Sequence, residues 1–320
     1  MRFNNMSLKG IEVFCIAAET GSIAQAAAET DLSLPAASQQ IKKLEQALGC
    51  RLLDRNSRPM TMTRAGQLFL ERAKTAMGEI HLAQTELISL DLSGHATLRI
   101  GAIEDFEDQI TPMLLSQLAS SLTRSEFRLL TGPSHEIEDK LRTQSLDIGI
   151  YTSSGEIDQD IEKIDLLSDP YVLAVPSSAA YPPQSGLQDL KDLQYITYDR
   201  RLLMGRQIEA QLSRLRLTQE VRVEIDSYQS LFALIATGQY WSITTPLAYK
   251  SARRFHKDID IHPLPFQAFS RTIVLAAGPE WSRSLGDAMA RTLKGFLHSH
   301  TVTPVVSEYP WLGHSFKVAG

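Results

Sequence analysis

Short uncharged side chains occupy the front of the segment SLPAASQQIKKLEQALG, residues 33–49. Ser33 is a typical N-cap and Pro35 is tolerated in a first turn, so the segment is predicted to be a helix. One face of this helix carries Leu34, Pro35, Ser38, Gln39 and Lys42. Short hydroxyl and amide side chains can bond base edges in the major groove of DNA. Long charged side chains would crowd the entrance to that groove. An ordinary surface helix would show the same spacing.

The preceding residues predict two more helices that hold this one in place. The first ends at Gly21 and has the apolar spacing of Leu8, Ile11, Phe14 or Cys15, and Ala18. The second covers 22–29 and begins with a capping box of Ser22 and Gln25, which are also candidate DNA contacts. On the third helix, the stripe predicted to be buried is Ala37, Ile41, Leu44 and Leu48.

A basic segment follows the third helix. RLLDRNSRPMTMT, residues 51–63, predicts two short strands around an Asn-Ser turn, which together form a wing. From 36 to 66 there are six Lys and Arg residues against two acidic ones, a local charge of +4 in a chain of net charge −5. Such a local surface favours phosphate binding, and Arg55 and Arg58 are the predicted phosphate contacts.

Together these residues resemble the N-terminal signature of LysR-type transcriptional regulators. The resemblance rests on Phe14, Ala18, Gly21–Ser22, Ala26–Ala27, Ser33, Pro35–Ala36, Ser38, Ile41, Leu44–Glu45, Leu48–Gly49, Leu52–Leu53, Arg55, Thr63 and Ala65–Gly66. It implies a winged helix-turn-helix whose third helix enters the major groove. Thr30, Leu34 and Gln39 depart from the residues usual in that family, which leaves the target sequence open but not the binding of DNA.

A long helix is predicted from Thr63, its candidate N-cap, to about Leu90, because no proline occurs before Pro112. Apolar residues recur along it at alternating spacings of four and three: Phe69, Ala73, Ala76, Ile80, Ala83, Leu87 and Leu90. This heptad seam favours a coiled-coil contact with a second copy, and a helix packed on its own domain is the alternative. The family resemblance implies a dimer or a dimer of dimers. Two recognition helices about 34 Å apart would then read a roughly palindromic site.

Residues 96–300 alternate short apolar runs with helical stretches, which indicates a βαβ sheet. LDIGI and TGQYWSITTP resemble parts of the LysR-type effector domain, which implies two lobes like those of periplasmic binding proteins. The lobes are predicted at 96–168 with 271–300 and at 169–270. A small-molecule effector would bind between them, at Ile103, Glu104, Thr131, Ser134, Thr152, Thr197, Asp199, Ser227 and Thr244. Each of these is equally well explained as a loop or cap residue, and Ser134 is predicted to cap a helix.

The run EDFED bears on the charge of that effector. It places four acidic residues around the start of a helix predicted from about 107 to 121, namely Glu104, Asp105, Glu107 and Asp108. Free N–H groups at a helix start attract anions, but carboxylates already present would repel them. A neutral or partly cationic effector is favoured, or one anchored at the second lobe.

Other classes of protein have little support in the sequence. The motifs of hydrolase nucleophiles, phosphate-binding loops and zinc proteases are missing, so an enzyme built on the two lobes is the minor alternative. His298 and His300 have no acidic or cysteine partner nearby, and neither a metal nor another cofactor is expected. Cys50 lies beside Arg51, which leaves a redox role open against that of a small filler. No run is long enough to span a membrane and no signal-peptide cleavage pattern occurs, so a cytoplasmic protein is expected.

The sequence therefore predicts an α/β multidomain protein. A winged helix-turn-helix occupies 1–66, with the helix-turn-helix at about 22–42 and the wing at about 51–63. A linker helix at 67–91, a two-lobed effector domain at 92–300 and a tail at 301–320 follow. The predicted function is sequence-specific regulation of transcription. Its partners would be double-stranded DNA, a second copy, a small effector and, as a candidate, RNA polymerase, and a constitutive DNA-binding repressor without a ligand is the alternative.

Overall fold

The computed structural model describes residues 6–30, 32–54, 57, 60–91, 97–122, 125–155, 161–182, 185–217, 219–278 and 283–320, with the backbone alone at 78–79, 81–91 and 283–285. The chain divides into two compact units, residues 1–87 and residues 88–319. Each unit has its own hydrophobic core.

Three short helices, a hairpin and one long helix form the first unit. Their bounds are α1 Leu8–Thr20, α2 Ile23–Glu29, α3 Leu34–Leu48, β1 Leu53–Asp54, β2 Thr61–Met62 and α4 Arg64–Asp91. Serine hydroxyls cap the three short helices by accepting backbone N–H groups of their first turns; the caps are Ser7, Ser22 and Ser33. Gly21 and Gly49 end α1 and α3 with φ of 65° and 69°, a left-handed conformation that glycine adopts without strain.

The core of the first unit lies among the three short helices. Phe14 of α1, Ala26 of α2 and Ile41 of α3 are fully buried in one cluster. Burying side chains the size of Phe14 or Ile41 stabilises the fold by about 1.5–3 kcal/mol each. The predicted buried stripe of α3 is confirmed, since Ala37 and Leu44 join this cluster and Leu48 packs against it.

Two local predictions are wrong in detail. On α1 the buried face includes Val13 and Ala17, whereas Leu8, in the first turn, is half exposed. At the start of α2 only half of the capping box forms. The Gln25 amide donates to Glu29 one helical turn along, at 3.1 Å, and therefore does not turn back to the backbone of Ser22.

The hairpin and α4 meet at Gly66. Thr63 donates its backbone N–H to the Leu52 carbonyl at 2.9 Å and accepts the Gly66 N–H on its side chain at 3.0 Å. A Cβ at Gly66 would lie 2.1 Å from the Leu52 carbonyl oxygen, so this approach requires glycine. Further along α4, the Phe69 ring packs on Phe14 with 5.6 Å between ring centroids. The first turns of α4 therefore belong to the first core.

Strands and helices alternate through most of the second unit, which confirms the α/β class. The strands are β3 Thr97–Ala102, β4 Glu126–Thr131, β5 Ile148–Thr152, β6 Glu162–Pro170, β7 Val172–Pro176, β8 Gln194–Tyr198, β9 Val223–Ile225, β10 Tyr240–Thr244, β11 Ile259–His262, β12 Ser270–Ala277 and β13 Lys317–Val318. The helices are α5 Ile110–Ser121, α6 Ser134–Arg142, α7 Leu203–Arg214, α8 Tyr228–Ile235, α9 Pro246–Ser251, α10 Arg283–Leu297 and α11 Thr303–Glu308.

Two sheets divide this unit into two lobes. The first sheet has the order β13-β6-β12-β5-β3-β4, in which β3 is parallel to β4 and β5, and β12 is antiparallel to β5 and β6. The second has the order β11-β7-β10-β8-β9. The chain enters the second lobe after β6 and returns at the start of β12. These two crossings are adjacent, because Pro170 pairs with Ser270.

Residues 301–320, for which the sequence shows no period, complete the first lobe. A π-helical turn, His298–Val302, joins α10 to α11. β13 then pairs antiparallel with β6, with Val318 opposite Leu167. Leu312 and Phe316 are fully buried in the core of the second unit.

Candidate DNA-binding face and effector cavity

The front of α3 presents the predicted DNA-binding face to solvent. Leu34 is 51% exposed, and Pro35, Gln39 and Lys42 are also exposed, while Ser38 is half-buried. The buried stripe on the opposite side fixes the orientation of this face within the first unit. An apolar side chain exposed beside short polar ones suits contact with a thymine methyl group and with base edges.

Ser22 and Gln25 lie at the start of α2. The Ser22 hydroxyl accepts the Gln25 backbone N–H at 3.2 Å, and the exposed Gln25 amide bonds Glu29. Each side chain thus already has a partner within α2, and a DNA contact would add to that bond or replace it.

The base of the wing is held by a carboxylate of α3. Glu45 Oε1 accepts the backbone N–H groups of Leu52 at 2.8 Å and Leu53 at 3.2 Å. These bonds anchor β1 to α3, and they are strong because the acceptor is a charged carboxylate. The predicted phosphate contacts in the turn, Arg55 and Arg58, lie outside the described residues.

The predicted seam of α4 is partly used inside the first unit. Ala73 is buried and Phe69 packs against the first core. Ala76 is exposed and Ile80 is half-buried. The side chains of the remaining seam residues, Ala83, Leu87 and Leu90, lie outside the described part of the chain.

A cavity of about 380 Å³ lies between the two lobes of the second unit. Its walls come from loops at the carboxyl ends of strands and from the first turns of helices, where ligands bind in such folds. Six of the nine predicted effector contacts line it: Ile103, Glu104, Ser134, Thr152, Asp199 and Ser227. The structure therefore brings these residues together from both lobes.

The other three predicted contacts do not line the cavity. Thr131 ends β4 and is half-buried, and Thr197 is buried within β8. Thr244 is fully buried, and its hydroxyl bonds the Tyr198 hydroxyl at 2.8 Å. Thr197 and Thr244 therefore serve the interior of the second lobe.

The predicted cap role of Ser134 is wrong. Pro133 occupies the N-cap of α6 and Ser134 is its first residue. The Ser134 hydroxyl accepts the backbone N–H of Thr152 at 3.1 Å, which ties the start of α6 to the end of β5. A serine hydroxyl near a helix start can accept a backbone N–H either from its own first turn or from a neighbouring strand. Sequence spacing alone does not distinguish these two hydrogen bonds.

Sequence reasoning missed the buried cluster around Arg271, which also lines the cavity. The Arg271 guanidinium donates to Asp169 and to Asp105, each at 2.8 Å, and to the Thr245 hydroxyl at 3.1 Å. Asp169 also accepts the Leu247 N–H at 3.2 Å. Asp169 lies near the end of β6 and Arg271 near the start of β12, the two strands through which the chain passes between the lobes. The cluster therefore ties these two strands to each other, to Asp105 of the first lobe and to Thr245 of the second. Asp105 stood out in the sequence only as one acid of EDFED, and Arg271 carries no local signal.

Burial governs the titration of this cluster. It raises the pKa of Asp169 to about 6, although the Arg271 charge acts in the opposite direction. Burial alone would lower the pKa of Arg271, but the charges of Asp105 and Asp169 outweigh it and raise that pKa. The pKa of Glu104 is also raised, first by burial and then by nearby carboxylates, among them Asp105 and Asp226.

Two family models match the chain in succession. The model described as "Bacterial regulatory helix-turn-helix protein, lysR family" matches residues 8–67, and "LysR substrate binding domain" matches residues 93–300. The chain belongs to the LysR family. It is a DNA-binding transcription regulator with an effector-binding domain, and regulators of this family bind DNA and oligomerise.

Relatives in the LysR family agree with this assignment. The chain is 29% identical over 253 residues to the uncharacterized HTH-type transcriptional regulator YfeR of Shigella flexneri, covering 76% of this chain and 80% of YfeR. It is 28% identical over 170 residues to the DNA-binding transcriptional dual regulator OxyR of Escherichia coli K12, covering 53% of this chain. That match spans only 55% of the length of OxyR.

Solved structures of the LysR family share the fold. A hydrogen-peroxide-bound mutant of OxyR from Corynebacterium glutamicum aligns with a TM-score of 0.56 and 19% identity, over 96% of this chain and 97% of that one. Full-length BenM aligns with a TM-score of 0.51 and 20% identity, over 92% of this chain and 97% of BenM. Both have a helix-turn-helix followed by a two-lobed α/β domain, which confirms the predicted fold.

None of the helices among the described residues has the length and apolarity needed to cross a bilayer. Within the same ranges, no group of three or more His, Cys, Asp and Glu side chains is placed to hold a metal ion.

Proposed function

We propose that this LysR-family regulator reads a specific DNA sequence with the exposed face of α3, and that a small molecule in the interlobe cavity controls this binding. The observation that carries the proposal is the cavity. Contacts from both lobes line it beside the two crossing strands, so one ligand can favour one arrangement of the lobes over another. A regulator bound at a promoter acts on RNA polymerase, which is the further partner we propose.

The proposal divides the DNA contacts into two kinds. Ser38 and Gln39 would bond base edges and Leu34 would pack on a thymine methyl. Arg55 and Arg58 would bind phosphates, which hold the protein on any sequence. Ser22, Gln25, Pro35 and Lys42 complete this interface at the edges of the groove.

Mutations separate these roles once a binding site has been selected from random duplexes. Ser38→Ala and Gln39→Ala should each cost about 1–3 kcal/mol of binding and relax base preference at one position. Arg55→Ala and Arg58→Ala should weaken binding to all sequences and lower the slope of log K against log salt by about 0.9 each. Lys9→Ala, which removes a cation paired with Glu12 on α1, is the control. If the wild type showed no preference among duplexes, the proposed reading of sequence would be wrong.

The rest of the α4 seam is proposed as the contact between two copies. Phe69 and Ala73 already pack within the first unit, so Ala83, Leu87 and Leu90 would carry the contact, with Ala76 and Ile80 at its start. Leu87→Glu should dissociate the oligomer in light scattering and weaken binding to a two-half-site duplex far more than to a single half-site. A variant that remains dimeric would contradict this assignment.

Ligand control can be tested without knowing the ligand. A molecule that binds the native state at one hundred times its Kd stabilises it by about 2.7 kcal/mol, so thermal shift against a metabolite panel should identify stabilising compounds. Each of these should change the affinity for the selected duplex. If compounds shifted neither stability nor DNA affinity, the protein would instead be a constitutive DNA-binding repressor.

The OxyR mutant from Corynebacterium glutamicum that shares the fold has hydrogen peroxide bound, but the cysteines of this chain do not favour a peroxide response in its effector-binding domain. Cys15 and Cys50 are the only cysteines of the sequence and both precede the effector-binding domain. A thiol-based response within that domain has no residue to use.

A further inference from the structure

The two guanidinium groups that line the cavity are already engaged by carboxylates. Arg271 is bound to Asp105 and Asp169 in the buried cluster. Arg201 binds Asp199 through its Nε and Nη2, at 3.0 and 2.7 Å from the same carboxylate oxygen. An anionic ligand would therefore meet guanidiniums whose charge is already balanced by carboxylates, which weakens its attraction to either.

Two carboxylates of the lining have no such partner. Glu136 pairs with Lys140 at 3.5 Å, and Asp105 and Asp199 are held by the two arginines. Glu104 in the first lobe and Asp226 in the second form no ion pair among the described residues. Each lobe therefore contributes to the cavity one carboxylate that no described cation holds at ion-pair distance, although the charge of Asp226 still acts on Arg201.

These two carboxylates line the same cavity from opposite lobes. After burial and the charges of Asp105 and Glu107, the charge of Asp226 is a further cause of the raised pKa of Glu104. The lobes also approach at this point, where the Tyr228 hydroxyl lies 3.5 Å from the carbonyl oxygen of Glu104. The repulsion between like charges that line one cavity is relieved by a cation bound there.

The total charge of the lining favours the same ligand. Five carboxylates and two guanidiniums line the cavity, a net charge of −3 with histidine neutral. The first residues of α6, α7 and α8 also line it, and each helix start contributes about +0.5 charge. That partial charge, about +1.5 in all, offsets only half of the acidic excess. A ligand with a positive group gains from both the total and the local arrangement.

We propose that the effector of this cavity is a small organic cation, an amine or a guanidine, whose charged nitrogen lies between Glu104 and Asp226. The inference rests on the proposed effector role of the cavity and names the chemical class of the ligand. Tyr228 follows Asp226 by two residues, its hydroxyl lies 3.5 Å from the Glu104 carbonyl oxygen, and its ring belongs to the cavity lining, where it suits a cation. The apolar part of the ligand would contact Ile103, Leu203 and Met204, which line the same space.

Matched ligands test the charge directly. The full chain is heated with butylamine, benzylamine and agmatine, and with the carboxylate and the alcohol of similar skeleton for the first two. Amines should raise the midpoint of unfolding, with smaller effects from the alcohols and none from the carboxylates. If carboxylates stabilised the protein and amines did not, the inferred class would be wrong while ligand control of the regulator would stand. If neither class had any effect, this inference would be wrong, and the metabolite panel would decide separately whether the cavity binds an effector at all.

Variants test the position of the cation. Glu104→Gln and Asp226→Asn should each raise the Kd of the best amine at least tenfold, and Asp226→Asn is the safer variant for folding because Asp226 is exposed. Glu107→Gln is the matched control, since it removes an exposed carboxylate from the same turn that does not line the cavity. Equal affinity in the wild type and in both cavity variants would overturn the placement of the cation.

Discussion

Arg271→Met would leave the buried Asp169 without its cation. Asp169 is fully buried, and it would keep neutral donors in place of a cation: the Leu247 N–H at 3.2 Å and the Thr245 hydroxyl. Removing one partner of a buried ion pair costs about 3–5 kcal/mol, because the other charge stays desolvated. Methionine has nearly the same length, so little cavity should be added to this cost. Asp105→Asn keeps Arg271 paired with Asp169 and should cost less, about 1.5–3 kcal/mol for a bond to a charged group.

The loss should depend on pH in a defined direction. Burial raises the pKa of Asp169 to about 6, and removing the opposing Arg271 charge should raise it further. A carboxyl group with a higher pKa in the folded than in the unfolded chain binds a proton on folding, so its favourable contribution is present at low pH and is lost as pH rises through the folded pKa. The deficit of Arg271→Met should therefore be smaller near pH 5 than near pH 8.

Urea unfolding followed by tryptophan fluorescence measures this loss in the second unit. Trp241, Trp281 and Trp311 all belong to residues 88–319, so the signal does not report the first unit. Arg253→Met is the matched control, because Arg253 forms a surface pair with Asp108 at 3.0 Å that should contribute less than about 1 kcal/mol. If Arg271→Met cost no more than this control at pH 8, the reasoning about the buried cluster would be refuted.

Three further outcomes concern the first unit. Gly66→Ala should lower its stability by about 1–3 kcal/mol in far-UV circular dichroism, because the new Cβ meets the Leu52 carbonyl. Glu45→Ala should speed hydrogen exchange at Leu52 N–H, which loses a charged acceptor; unchanged exchange would contradict the anchoring role. Ellman's reagent should modify the exposed Cys50 in the native protein, whereas Cys15, whose pKa burial raises to about 11, should react only after unfolding.

Much of the first unit could be predicted because its signals are local. Ser22 and Ser33 cap helices as their spacing indicates, and the apolar period of α3 places Ile41 and Leu44 in the core. The apolar period of α1 fits two faces that share Phe14, one with Ile11 and Ala18 and one with Val13 and Ala17. Packing against α2 and α3 buries the second face, and the spacing alone does not decide between them. Helix caps and periods act within a few residues, and that is the range over which the sequence is informative.

The sequence carries signals for some elements of the second unit that the pattern of apolar runs does not show. Thr245 caps α9 and Pro246 occupies its first turn, a typical helix start that directly follows the apolar run of β10. β6, EKIDLLSDP, mixes charged and apolar residues because only part of it is buried, and its period is correspondingly unclear. β13 is two residues long and forms only because β6 offers it an edge.

The candidate site also contains residues that the sequence could place and residues that it could not. Loops that follow strands could be placed at the cavity from the order of elements, and Glu104, Asp199 and Ser227 line it. The Arg271 cluster could not, because its partners lie 102 and 166 residues away along the chain. Only the return of the chain from the second lobe brings these charges together.

The interleaved order of the two lobes also has a consequence during synthesis. The second lobe is one continuous stretch, β7 to β11, whereas the sheet of the first lobe takes strands from both sides of that stretch. As the chain leaves the ribosome, all strands of the second lobe are available before β12 and β13 are synthesised, so the second lobe can fold first. Until then β5 and β6 lack the neighbouring strand, β12, that pairs with both of them. A fusion partner attached after Val318 would disturb β13, which pairs with β6, so a purification tag is better placed elsewhere.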